Sequence, residues 1–161
     1  MRYIPLILLI GSLLYGNGIK AQQPARVVKF DEIERLLNRT SERIQVINFW
    51  ATWCAPCIEE LPYFEALNTA NDQVEVTLIS LDFADQISKV NNFIKRKNIG
   101  SQVLLLDEID YNSWIDKVEK SWSGAIPATL IVNKNTGQRK FIERELKEGE
   151  LEDLVSNIIV N

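Results

Sequence analysis

Ile44-Gln45-Val46-Ile47-Asn48-Phe49-Trp50-Ala51-Thr52-Trp53-Cys54-Ala55-Pro56-Cys57 is the stretch on which the fold turns. Its first half is a dense apolar, β-branched run, the pattern of a strand buried on both faces. A Cys-x-x-Cys follows directly, and the residues to about Asn71 carry helical spacing. A cysteine at a helix start faces unpaired backbone N–H groups and the positive end of the macrodipole, and both favour thiolate. The second cysteine, three residues later, lies one turn along and can reach the first. The pair can therefore close a small disulfide ring and open it again. Pro56 suits the first helical turn, where its missing N–H costs nothing.

Helix position alone does not activate the thiol fully. Lowering a cysteine from about 8.5 to about 7 requires ~2 kcal/mol of differential stabilisation. A helix terminus usually supplies about 0.3–1 kcal/mol and reaches ~2 only with favourable burial. Hydrogen bonds from Cys57 and nearby backbone N–H groups are expected to supply the remainder. Cys54 is thus read as the nucleophile and Cys57 as the more buried resolving thiol.

Outward from this segment, strand and helix periods alternate. Residues 31–37 read as a helix, with Ile33, Leu36 and Leu37 on one face. Strands are expected over 74–82 and 103–106, separated by a helix over 85–98 that Gly100 would stop. A further helix is expected over 110–120, with Tyr111, Trp114, Ile115 and Val118 inward. Strands over 128–132 and 138–143 flank Asn133-Lys134-Asn135-Thr136-Gly137, a hairpin turn. An amphipathic helix over 150–159 follows. No repeat or low-complexity linker interrupts the order, so one α/β domain is the economical reading.

Composition removes most competing chemistry. The 161 residues include no histidine, and Cys54 and Cys57 are the only cysteines. Ser-His-Asp and Cys-His nucleophilic machinery is excluded, as is imidazole-based zinc binding. Two thiols cannot make an all-thiolate tetrahedral metal site or ligate an iron–sulfur cluster unaided. A purely structural role is weak too, because so short a disulfide loop stabilises little. The chain is acidic, with 22 Asp and Glu against 18 Lys and Arg, and it lacks a basic stripe, so nucleic acid is not an expected partner.

Arg2 precedes an apolar run from Ile4 to Tyr15, followed by Gly16-Asn17-Gly18 and Lys20-Ala21. This order reads as a signal peptide over 1–21, with an uncleaved membrane tether as the alternative. Residues 22–161 would then form the functional domain outside the cytoplasm, where disulfides persist, with a net charge of −6 once Arg2 and Lys20 are gone.

Phe49 to Cys57 resembles the active-site segment of thioredoxin-fold proteins. More closely, Asn48-Phe49-Trp50-Ala51-Thr52-Trp53-Cys54, followed by Glu60-Leu61-Pro62, resembles the extracytoplasmic TlpA/ResA-like thiol–disulfide oxidoreductases. The resemblance implies an α/β thioredoxin fold, a central mixed sheet flanked by helices, with an inserted strand–helix unit near 101–122. It also implies a cis bond at Pro127, against the base rate of about 5–6 % for X-Pro bonds. The Ile126 backbone would then pair with an extended substrate segment beside Trp53, Ala55 and Pro56. Glu60 shares a helix face with Cys57, and in this family a Glu there is associated with tuning the thiols. Asn48 replaces the buried Asp of cytoplasmic thioredoxins, so proton handling falls to Glu60, water and the thiols. Pro62 is expected to kink its helix.

These readings converge on an exported, monomeric protein-disulfide reductase without cofactor or metal, placed most naturally in the periplasm. Its partners would be protein disulfides and a membrane or extracytoplasmic thiol reductant. Two alternatives stay open, a dithiol oxidant of folding proteins and a Cu(I)-binding thiol metallochaperone, since soft thiolates suit that ion.

Overall fold

A computed structural model describes residues 22–160. The expected signal segment, residues 1–21, lies outside them. Six strands form one sheet in the order β1-β4-β3-β2-β5-β6: Arg26–Val28, Gln102–Leu106, Val74–Ser80, Ile44–Trp50, Ala128–Asn133 and Gln138–Ile142. β1 to β4 are mutually parallel, β5 runs antiparallel to its neighbours β2 and β6, and the sheet is therefore mixed. Five helices cover it: α1 (Phe30–Asn38), α2 (Ala55–Ala70), α3 (Ile87–Lys97), α4 (Ile115–Val118) and α5 (Glu150–Val160). No helix among the described residues is long and apolar enough to cross a membrane.

β2 is buried at every position and occupies the centre, as its apolar run requires. Side chains of a strand alternate between faces. Val46 and Trp50 accordingly join a core with Leu61 and Phe64 of α2, Phe93 of α3 and Val155 of α5. Ile47 and Phe49 point the other way, into a core with Ile33 of α1, Leu130 of β5 and Trp114. In that second core Trp114 stacks near Phe30 and Phe49, with ring centroids 5.7 and 6.3 Å away, and meets Trp122 edge-on at 5.5 Å. Trp114→Ala is expected to cost about 3–5 kcal/mol, read by urea denaturation, because it removes a buried indole from a packed aromatic core.

Two local expectations need correction. Residues 110–120 do not form one helix. A 3₁₀ turn at Tyr111–Ser113 and the short α4 replace it, broken at Trp114 (φ −137°). Ser113 Oγ bonds the Asp110 carbonyl, one of the short polar contacts that compete with helix continuation. Tyr111 consequently remains 46 % exposed while Trp114 and Val118 are buried. Gly100 does not stop α3. Asn98 does, at φ 54°, with the Ile99 N–H returning to the Ile94 carbonyl. β1, three residues without periodicity, was not foreseen; it is held by pairing with β4 some 80 positions away. β4 lies inside the sheet, between β1 and β3. The α2 helix runs through Pro62 without interruption.

Candidate active site

The site lies where β2 ends and β5 begins, at the end of the sheet's interior strands. Cys54 caps α2 and Pro56 occupies its first turn. The Cys57 N–H points at Cys54 Sγ from 3.4 Å, and the Ile58 N–H closes the first helical bond to the Cys54 carbonyl at 3.1 Å. The two cysteines form a disulfide, with Cα atoms 5.3 Å apart. Cys54 is 6 % exposed and Cys57 fully buried. Trp53, Ala55 and Pro56 are exposed around them.

The Ile126–Pro127 bond is cis, and the Ile126 carbonyl oxygen lies 3.9 Å from Cys54 Sγ. Polar contacts hold the loop that carries it. Glu143 accepts hydrogen bonds from the Ser123 N–H (3.1 Å), the Ser123 hydroxyl and the Ala125 N–H (3.2 Å). Burial would raise the Glu143 pKa, but these donors hold it below its ordinary value. The Trp122 indole N–H bonds the Ala125 carbonyl at 2.8 Å. Gly124 takes φ +91° here, a conformation L side chains rarely adopt.

Glu60 is fully buried one turn behind Cys57. Asn48 Nδ2 donates to its Oε1 and the Leu146 N–H to its Oε2, each at 2.8 Å. Asn48 Nδ2 also lies 3.1 Å from Thr129 Oγ1. Desolvation dominates these two stabilising bonds, and the carboxyl is pushed up to about 7, with Glu145 and Glu150 adding repulsion. It can therefore take or release a proton near neutrality. Asn48 Oδ1, on the same amide, has no hydrogen-bond partner among the described residues.

Sequence reasoning missed a second buried carboxylate. Asp82, just past β3, accepts the Thr52 N–H and the Ser80 hydroxyl at 2.9 Å each, and the Thr52 hydroxyl as well. It anchors the turn before Cys54 to the neighbouring strand. Its only signal was an acid closing an apolar run. The Glu143 clamp gave no local signal, since its partners lie about 20 positions away.

A disulfide capping a helix at the end of a central strand, with a cis-proline loop beside it, defines the thioredoxin-fold dithiol proteins. Within that class the chain belongs to the AhpC/TSA family, which its residues 25–138 match. The thiol–disulfide oxidoreductase ResA of Bacillus cereus is 30 % identical over 109 residues, covering 67 % of this chain and 57 % of that protein. The chain thus spans little more than half of that relative. The ResA of Geobacillus thermodenitrificans is 23 % identical over 98 % of this chain and 94 % of its own length. Among solved structures, a thioredoxin-related protein from Neisseria meningitidis serogroup B has a TM-score of 0.65 and 25 % identity, covering 78 % of this chain and 91 % of that one. StoA from Bacillus subtilis has a TM-score of 0.55 and 20 % identity, covering 72 % and 84 %. These likenesses bear out the thioredoxin fold and the ResA-type resemblance.

Proposed function

We propose that this chain is an exported thiol–disulfide oxidoreductase that reduces disulfides in protein substrates. The observation that carries the reading is the Cys54–Cys57 disulfide at a helix N-terminus, beside the Ile126–Pro127 loop. The names of the ResA relatives support it. In the reduced protein, Cys54 thiolate attacks one sulfur of a substrate disulfide. A Cys54–substrate bond forms, the substrate bond breaks, and the departing sulfur takes a proton. Cys57 then gives its proton to the Glu60 carboxylate or water and attacks Cys54. The Cys54–Cys57 bond forms as the second substrate sulfur leaves and is protonated. Two electrons have passed to the substrate, and an extracytoplasmic thiol reductant must restore them.

Trp53, Ala55, Pro56, Ile126 and Pro127 form the edge on which an extended substrate segment lies. Residues 1–21 serve as the signal peptide, and residues 22–161 work as a monomeric thioredoxin-like domain in the periplasm. No cofactor or metal is required, because the sulfur pair itself stores the electrons.

The test adds pre-reduced protein to insulin without oxygen. One insulin disulfide should be reduced per protein dithiol, with turnover only when a thiol reductant is supplied. A dithiol that stays reduced beside intact insulin, or that binds one Cu(I) and exchanges nothing, would contradict the proposal.

A further inference from the structure

One face of α3 carries Lys89, Asn92, Phe93, Arg96 and Lys97, the i, i+3, i+4, i+7, i+8 positions of a helix stripe. With Thr52 and Ile58 they line an open groove of about 720 Å³. Those last two residues bracket the disulfide in sequence, so the groove adjoins the site. Its ionisable lining is entirely cationic, in a chain whose net charge is −4.

The helix dipole accounts for only part of this. Cations in the last turn, Lys95 to Lys97, complement the C-terminus of α3. Lys89 sits in the first turn, where a cation is disfavoured, and its nearest carboxylate is Asp82 at 4.0 Å. Nine cations form ion pairs among the described residues, but Arg96 and Lys97 do not. Arg96 instead lies over the Phe93 ring at 5.4 Å, so charge and an apolar floor share the same space.

We infer that this groove receives an acidic segment of the substrate protein, adjoining the cysteine that Cys54 attacks. Carboxylates pair with Lys89, Arg96 and Lys97, and an apolar side chain rests on the half-buried Ile58. The inference rests on the exchange reading above and names its substrate class. Exposed pairs are individually weak, so the groove acts through several of them, by steering encounter and setting register.

Two peptides test this, each carrying a 2-thiopyridyl disulfide and differing only in three Glu or three Gln beside the cysteine. Release of the thione by pre-reduced protein should have a second-order rate constant about tenfold larger for the acidic peptide at low salt, and the preference should shrink as salt rises. Arg96→Glu with Lys97→Glu should abolish or invert it. Lys95→Glu, off the groove, changes net charge equally with one such substitution and should retain it. Equal rates in the unaltered protein, or a preference that survives the double reversal, would overturn the inference. If neither peptide is exchanged, the redox reading fails, and a cysteine-free acidic peptide decides the groove alone. Amide shifts of Lys89, Asn92 and Arg96 on titration support it, and unshifted amides overturn it.

Discussion

Cys54→Ser is expected to reduce exchange with any protein disulfide to the uncatalysed background. Serine keeps the helix cap, since its oxygen accepts the N–H that Cys54 Sγ now faces at 3.4 Å. Stability should therefore change little beyond the loss of a short disulfide loop. What disappears is the nucleophile, because a hydroxyl is not measurably ionised near neutrality and cannot form the mixed disulfide. Stopped-flow reduction of a chromogenic disulfide checks this. A residual rate within tenfold of the unaltered protein would mean that Cys57 attacks in its place.

Glu60→Gln should produce the second large effect, on stability as well as on rate. The carboxyl is held at about 7 in the folded chain, chiefly by burial. Unfolding returns it to the ordinary glutamate range. Between roughly pH 4.5 and 7 the folded form thus binds the extra proton, and stability falls as pH rises through that window. The loss at pH 8 amounts to about 3 kcal/mol. Glutamine has no proton to lose, so the variant should be more stable by that order at pH 8 and nearly unchanged at pH 4. Its amide is accommodated because Asn48 can turn, presenting to it the Oδ1 that lacks a partner now. Exchange should slow by about a hundredfold and lose its pH step near neutrality. Denaturation curves at the two pH values, with rate profiles, measure both. Equal stabilities at pH 8 would show that the fold does not raise the carboxyl's pKa.

How much of this was legible beforehand depends on how far apart the interacting groups lie. β2 was read to its true bounds because a seven-residue run, apolar except at Gln45 and Asn48, ended at a motif. Glu60 was visible through its i, i+3 relation to Cys57, which helix geometry alone fixes. Its partners were not, since the Leu146 N–H comes from 86 positions away and no pattern marks a backbone donor. Asp82 and Glu143 were hidden for the same reason, as each holds a loop that meets it only once the sheet has formed. The 110–120 stretch misled because Tyr111, Trp114 and Val118 fit a helical stripe. Trp114 is buried by the aromatic core instead, and the chain breaks there to reach it. Pro127 in cis came from resemblance, since residue statistics favour trans.

Trapping tests the division of labour between the two sulfurs most directly. A Cys57→Ala protein, reduced and mixed with extracytoplasmic proteins, should accumulate mixed disulfides through Cys54, which reductant dissolves and mass spectrometry identifies. Cys54→Ala should accumulate none, because Cys57 is fully buried. Capture by Cys54→Ala and not by Cys57→Ala would reverse the assignment of nucleophile and resolver.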